Sequence, residues 1–528
     1  MIRIALVFPN RYFLGMANLG FHAAFRLFNR EKAVVAERAF LPEKDEEKEF
    51  IRRNTPLTTI ESGMPLSSFD IVAFSSSYEL DYPNIVKILD LAGIPIYAEA
   101  RDEGMPLIIL GGVSSFLNPE PIAPFIDIIL VGEGETLIPL LIETYLRERG
   151  DKEKIKEALA PMLGFYIPSF YKIEYDDKGE VIDFATERGA TPKVRRAIAF
   201  PLPDPPQASS AIITPDAEFG AALLVELSRG CSSGCFFCFA GYNYLPCREY
   251  RVEGIISRIE EAKGRFERVG LIASSITDYS QKETLFDFLR REGVGITISS
   301  LRLEFLDEAW ASFLAERGLK TATIAPETGN ERLRFRINKK ITDSDILKKV
   351  ELILSSGIRN IKLYYLVGLP GETEEDLKKT VKLTVEIKKM MRGKGRLSAS
   401  ISPFIPKPHT PFQWVEMGEL PYLKKSLAYL KRELSSLGIE TSGMGMREAT
   451  LQAILARGDR RLAPVVASIA RGESLRSALS SAGLGKEIFL RERATEERLP
   501  WEHIGGMDKK RLVKLITGKG RKDEEVHP

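Results

Sequence analysis

The sequence predicts an α/β protein in three parts: a doubly wound parallel sheet, a six-unit partial (β/α) barrel and a helical C-terminal region. Three observations predict it. Short β-rich apolar runs alternate with amphipathic segments over residues 1–150, six βα-like units follow over 219–415, and the pattern beyond 416 is helical. Length and composition agree, because 528 residues at 44% hydrophobic and 28% charged suffice for two to four domains.

In the first part the expected strands are Ile2 to Phe8, Ala33 to Phe40, Phe69 to Ser75, Met105 to Leu110 and Ile126 to Val131. Helical patterns at Asn18 to Asn29, Tyr82 to Leu91 and Thr136 to Arg149 lie between and after them. The strand ends carry small, polar or glycine residues: Pro9-Asn10, Ser75-Ser76-Ser77, Gly111-Gly112 and Gly132-Glu133-Gly134-Glu135. Open parallel sheets bind ligands at this edge, where glycine permits close backbone approach.

Residues 151–218 read as a connector. Phe165 to Phe184 suggests a hairpin turning at Asp176-Asp177-Lys178-Gly179, and Pro201, Pro203, Pro205, Pro206 and Pro215 then break regular structure. The barrel strands are expected at Leu223 to Ser228, Val269 to Ser274, Gly295 to Ser300, Thr321 to Ala325, Asn360 to Val367 and Arg396 to Ile401. Intervening helices fit Val252 to Phe266, Lys282 to Glu292, Leu306 to Glu316, Asp343 to Ser356 and Glu374 to Met390. Tyr422 to Leu437, Glu448 to Arg457 and Ala463 to Arg471 are helical in the last part, and Gly518 to Glu525 reads as a disordered tail.

Three of the four cysteines fall together as Cys231-Ser-Ser-Gly-Cys235-Phe-Phe-Cys238, directly after the first barrel strand. Thiolates so close along one loop can ligate three irons of a cubane and leave the fourth open to a substrate or cofactor. Structural zinc wants four Cys or His ligands in paired spacing, and no nearby histidine completes such a set. Cys247 stands alone, so a second cluster built from protein thiolates is excluded; it reads as a radical quencher, a thiol donor or an inert cysteine.

The Cys-x3-Cys-x2-Cys spacing after a first barrel strand, with Phe237 directly before the last cysteine, resembles the signature of the radical S-adenosylmethionine (SAM) enzymes. The resemblance implies a 4Fe-4S cluster on Cys231, Cys235 and Cys238, SAM on the open iron, and Phe237 beside the adenine. It implies cleavage of SAM to methionine and a 5′-deoxyadenosyl radical that abstracts hydrogen.

Barrel sites form beyond the carboxyl ends of the strands. Ser274 follows strand two, Ser300 and Arg302 follow strand three, Glu327 follows strand four, and Gly368-Leu-Pro-Gly371 follows strand five. By the same resemblance Arg302 meets the SAM carboxylate, Glu327 its ribose or amino group, and the Gly368 turn its adenine; Ser274 and Ser300 are further cofactor contacts. The structural alternative is an internal ion pair between Arg302 and Glu327. Lys407, His409, Gln413 and Trp414, after strand six, either orient substrate or seal the barrel.

The series Gly111-Gly-Val-Ser-Ser115, Asn118-Pro-Glu-Pro121, Asp127 and Gly132-Glu-Gly-Glu135 resembles the cobalamin-binding domain that precedes the barrel in one radical SAM class. Ser75, Ser76, Ser77, Gly111, Gly112, Gly132 and Glu133 are then the expected cobalamin contacts. The chain departs from that pattern in lacking Asp-x-His-x-x-Gly, so no lower axial histidine is identifiable.

A net charge of +2 predicts no strong field for nucleic acid, and no apolar stretch approaches a membrane span, so a cytoplasmic protein is expected. An electron donor such as a ferredoxin or flavodoxin is the expected partner; the substrate is not written in the sequence. Three functional readings stand: cobalamin-dependent methyl transfer to an unactivated carbon, other radical chemistry such as ring formation or rearrangement, and a non-catalytic iron-sulfur electron carrier or redox sensor.

Overall fold

The computed structural model describes residues 1–517. The tail read as disordered lies outside the described residues. Strands β1 (Ile2–Phe8), β2 (Val34–Phe40), β3 (Ile71–Ser75), β4 (Leu107–Gly111) and β5 (Ile128–Leu130) form a parallel sheet in the order 2-1-3-4-5. β6 (Phe165–Tyr166) adds to its edge, antiparallel to β5. Helices on both faces leave β3 wholly buried, which is why Ile71-Val-Ala-Phe74 reads as a continuous apolar run. The strand order reverses between β1 and β3, so a crevice opens outside their carboxyl ends at Asn10 and Ser75. The helix Leu19–Arg30 starts beside it, where Asn18 Oδ1 accepts the Phe21 N–H at 3.0 Å.

The hairpin is shorter than the sequence suggested, β7 (Tyr171–Tyr175) and β8 (Val181–Thr186), because the buried Phe165-Tyr166 pair is taken by the first sheet. The connector then runs along both domains, bridging Gly132 through Ala197 and β9 through Ser209.

The barrel strands are β9 (Ala222–Arg229), flanked by the short β10 (Arg248–Glu249), then β11 (Arg268–Ala273), β12 (Gly295–Ile298), β13 (Thr321–Glu327), β14 (Asn360–Val367) and β15 (Leu397–Pro403). They form two sheets, 10-9-11-12 and 13-14-15 with a further strand β16 (Glu440–Ser442), joined by the single bridge Leu301 to Ile324. The six parallel strands of the predicted partial barrel are present. β16 carries no apolar signal and was not anticipated. Alternation decides the two faces: Val225, Leu271, Ile324, Leu363 and Ile401 are buried in one core with the helices, whereas Glu226, Thr323, Lys362, Tyr364, Ser398 and Ser400 lie at the opposite, partly accessible face.

The C-terminal helices fold back onto the beginning of the chain. Ala463–Ala470 packs on Tyr82–Leu91, and Leu455, Val466 and Ala470 belong to the core of the first sheet. Asn118 donates to the carbonyls of Ala456 (3.1 Å) and Gly458 (2.8 Å), and fully buried Glu120 pairs with Arg460 at 2.8 Å. The Asn118-Pro-Glu-Pro121 segment is therefore a clasp on the C-terminal region. No helix among the described residues is long and apolar enough to cross a membrane.

Candidate functional site

The cysteine loop leaves β9 at Arg229-Gly230. Gly230 has φ +98°, and a Cβ there would meet the Tyr244 carbonyl at 2.6 Å and the Cys247 Cα at 3.0 Å, so only glycine lets the loop turn this tightly. The Cys238 N–H donates to the Cys235 carbonyl at 3.0 Å, closing a turn between the last two thiols. Two contacts brace the loop from the segment after β13: Phe236 N–H to the Ile337 carbonyl (3.0 Å) and Asn338 Nδ2 to the Gly234 carbonyl (2.7 Å).

Burial opposes free thiolates on this loop. Burial pushes the Cys235 thiol up to about 12 and raises Cys238. The backbone N–H groups of Gly241 and Ala240 are directed at the Cys238 sulfur, Lys339 lies near Cys235, and Arg302 Nη1 donates to Cys231 Sγ at 3.4 Å. A buried thiolate is costly unless metal takes its charge, and these donors suit an anionic sulfur ligand. No three His, Cys, Asp or Glu side chains among the described residues gather around a single metal ion.

Arg302 and Glu327 both stand at the mouth of the barrel, each with its own partner. Arg302 Nη2 pairs with Glu304 at 2.9 Å, and Lys339 Nζ pairs with Glu327 at 3.0 Å, so the anticipated ion pair between Arg302 and Glu327 is absent. Burial opposes the Lys339 charge, yet Glu327 and the Cys235 sulfur hold its pKa above the ordinary value. Glu327 has φ +66°, a strained conformation for a non-glycine residue at a buried strand end. Phe237 is half-buried, while its neighbour Phe236 packs on Phe412; Ser274 and Ser300 are exposed.

Gly368 does not require a cofactor to explain it. Its φ is +84°, a Cβ would lie 2.3 Å from Leu423, and its N–H donates to Glu372 at 2.8 Å. The loop after β15 seals the barrel. Lys407 pairs with buried Glu79 at 2.6 Å, Gln413 accepts from His409 N and Trp501 Nε1, and His409 and Trp414 are buried.

A cavity of about 430 Å³ runs from the carboxyl edge of the first sheet to the mouth of the barrel. Ser75, Ser77, Gly111, Gly112, Gly132 and Glu133 line it from the sheet, with Gly20, Ala23, Ala24 and Leu27 from the helix above, and Ser228, Tyr244 and Ser274 from the barrel. Gly111 is open toward this space, since a Cβ there would meet nothing nearer than Leu130 at 3.9 Å. Small side chains thus hold a slot open between helix and sheet.

One of the expected contacts needs correction, and three others carry a second role. Ser76 does not line the cavity: it is fully buried, and its carbonyl accepts from both Ser114 N and Ser114 Oγ. The glycines at 112 and 132 line the cavity and are also required by the protein itself, because a Cβ would strike the Ser76 carbonyl or the Ala197 carbonyl at 2.3 Å. Glu133, in the cavity wall, is held by Arg248 (2.7 Å), Arg229 (2.9 Å) and the Ala199 N–H (2.9 Å), so it joins the domains as well. His22 is spent likewise: Nε2 meets the Met16 carbonyl, Nδ1 accepts from Ala211 N, and burial lowers its pKa to about 4.

Arg229, Asn338 and Lys339 went unread in the sequence. Arg229 lies one residue beyond the expected strand Leu223 to Ser228 and one glycine before the cysteine loop, with no motif of its own, and Asn338-Lys339 follows a short helix with no periodic signal.

A parallel-sheet domain joined to a partial barrel, with three thiols on the first barrel loop, defines a class of cluster-bearing α/β enzymes. Residues 20–168 match the family model "Radical SAM proteins, N-terminal" and residues 225–384 match "Radical SAM superfamily". The uncharacterized protein MJ0966 of Methanocaldococcus jannaschii is 30% identical over 504 residues, spanning 95% of this chain and 98% of that one. The chain belongs to the radical SAM superfamily and is a radical SAM enzyme; membership implies a 4Fe-4S cluster and SAM. A tRNA-2-methylthio-N(6)-dimethylallyladenosine synthase of Anaplasma phagocytophilum is 26% identical over 189 residues, 32% of this chain and 42% of that one. Among solved structures, the radical SAM methyltransferase TsrM of Kitasatospora setae, with cobalamin and a [4Fe-4S] cluster bound, shares the fold at a TM-score of 0.50 and 14% identity, covering 78% of this chain and 77% of that one.

Proposed function

We propose that this enzyme holds cobalamin between its two domains and transfers a methyl group to an unactivated carbon. The cavity of about 430 Å³ carries the reading, because it connects the ligand-binding edge of the sheet to the barrel mouth next to the cysteine loop. Gly20, Ala23, Ala24 and Gly111 leave a slot where larger side chains would fill the core. The TsrM structure, with cobalamin bound, offers a parallel at the level of fold alone.

When bound, the cluster and SAM supply a 5′-deoxyadenosyl radical that removes hydrogen from the substrate, and the corrinoid supplies the methyl group. The residues of this chain bind and orient. Cys231, Cys235 and Cys238 would hold three irons. Arg302 presents a guanidinium beside Cys231, suited to a carboxylate, and Lys339 with Glu327 presents a charged pair near Cys235, suited to amino and hydroxyl groups. No histidine lines the cavity among the described residues, so a corrinoid there would receive no imidazole from the cavity wall. A one-electron donor such as a ferredoxin or flavodoxin completes the proposal.

The test is anaerobic reconstitution with iron and sulfide, with and without cobalamin. SAM and dithionite should yield methionine and 5′-deoxyadenosine, and the protein should retain corrinoid through gel filtration. SAM cleavage with no corrinoid retained would overturn the cobalamin proposal in favour of other radical chemistry.

A further inference from the structure

The helix Leu19–Arg30 has two working faces. Gly20, Ala23, Ala24 and Leu27 line the cofactor cavity, whereas Phe25, Arg26 and Arg30 line a separate, open concavity of about 710 Å³. Its other walls are the linker at Asp204 and Gln207 and the barrel helix Val252–Glu261 at Arg258. It thus straddles the joint between the domains, away from the cysteine loop.

The lining carries three arginines against one carboxylate. That carboxylate is engaged elsewhere: a Cβ on Gly254 would overlap Asp204 Oδ1, which places Asp204 on the first turn of the barrel helix, where N–H groups favour a negative charge. Arg26 donates through Nη2 to the Ser209 and Ser210 carbonyls, while its buried Nε has no partner. Burial and the nearby Arg258 charge lower the Arg26 pKa to about 10. Arg258 pairs through Nη1 with the half-exposed Glu261 at 2.7 Å and donates through Nε to the Pro206 carbonyl, which leaves the exposed Arg30 guanidinium and the remaining N–H groups of Arg26 and Arg258 for a ligand in the concavity. Arginine forks match phosphate oxygens in pairs, and the volume suits a ligand of nucleotide size.

We propose that this concavity binds a small phosphate-bearing ligand, gripped by Arg26 and Arg30 from the sheet domain and by Arg258 from the barrel. Because its contacts come from both domains, such a ligand stiffens the joint, and the folded state gains by mass action.

Isothermal titration of the full-length protein with inorganic pyrophosphate at low ionic strength tests this. One saturable site is expected, accompanied by a rise in thermal midpoint. R30Q, at the exposed rim, and R258Q should each weaken binding about tenfold. R461Q, in a different arginine-lined concavity, should leave it unchanged. Absence of saturable binding to the wild-type protein, or wild-type affinity retained in R30Q and R258Q, would overturn the proposal. So would a short uridine oligonucleotide that binds more tightly than pyrophosphate, since that would identify a nucleic-acid backbone as the phosphate source.

Discussion

Arg229 Nη1 lies 2.9 Å from Glu133 Oε2, and through that contact the residue one position before the cysteine loop's Gly230 is locked to the carboxyl edge of the first sheet. Arg229 also reaches Glu135 (2.9 Å) and Glu226 (2.7 Å), and Glu133 reaches Arg248 (2.7 Å), all of them largely buried. Burial opposes the Arg229 charge, but Glu226 and Glu135 keep its pKa far above the ordinary value. Phe239 of the loop packs on Phe116 of the sheet domain, with centroids 5.6 Å apart. The loop's position is therefore set by both domains.

Removing the Glu133 charge should loosen this joint. E133Q leaves two buried arginines short of one counter-charge, and with Glu135 and Glu226 still present the expected loss is roughly 2–3 kcal/mol of unfolding free energy. Urea denaturation followed by fluorescence measures it. A loss below about 0.5 kcal/mol would show that the pair is not under load.

The three loop cysteines and Cys247 should separate cleanly. C231A, C235A and C238A should each lose most bound iron and the broad visible absorption of a cluster, because a cubane missing one of three protein ligands is not held. C247A should keep both, as Cys247 is exposed outside the Cys231–Cys238 loop. Iron assay of anaerobically reconstituted protein decides between these outcomes.

Lys339 should tune the cluster. Its ammonium is near Cys235, and a neighbouring positive charge favours the reduced, more negative state of a cluster. K339M should make the reduction potential more negative by tens of millivolts, on the order expected for one partly screened charge. Spectroelectrochemistry of reconstituted protein reads it, and an unchanged potential would place Lys339 in a purely structural role with Glu327.

Acid should unclasp the C-terminal region through Glu120. Burial alone would raise its carboxyl, but Arg460 and His503 dominate and bring it down to about 2 from 4.5. A depressed carboxyl stabilises the fold above its unfolded pKa, and that stability is lost as pH falls through the folded value. Stability should decline between about pH 4.5 and 2, by roughly 3 kcal/mol from this group. E120Q should flatten that part of the pH profile, measured as denaturation midpoint against pH.

Much of this architecture was legible because its elements are long and strongly patterned. β1, β3 and β14 with their flanking helices could be placed from apolar runs and period alone, and the cysteine spacing pointed to the cluster loop. Partners in three dimensions were not legible. Gly112, Gly132 and Glu133 line the cavity, but their second role was hidden, because glycine and carboxylate at a strand end suit a cofactor and a domain joint equally well. Only the positions of Ser76, Ala197 and Arg229, up to about a hundred residues away in the chain, reveal the structural role. Lys339 was hidden for the opposite reason, since a lysine in a short loop carries no pattern until the fold brings Glu327 and Cys235 beside it.

The slot between the helix Leu19–Arg30 and the sheet is the feature on which the cobalamin reading rests, and Gly111 is its most open wall. The deciding measurement is the absorption spectrum of anaerobically purified protein, expressed with cobalamin supplied, for the wild type and for G111L. The wild type should show corrinoid bands together with cluster absorption, and G111L, whose side chain would enter the slot, should keep the cluster and lose the corrinoid. A wild-type protein with an intact cluster and no corrinoid, or a G111L protein that binds corrinoid as the wild type does, would contradict it.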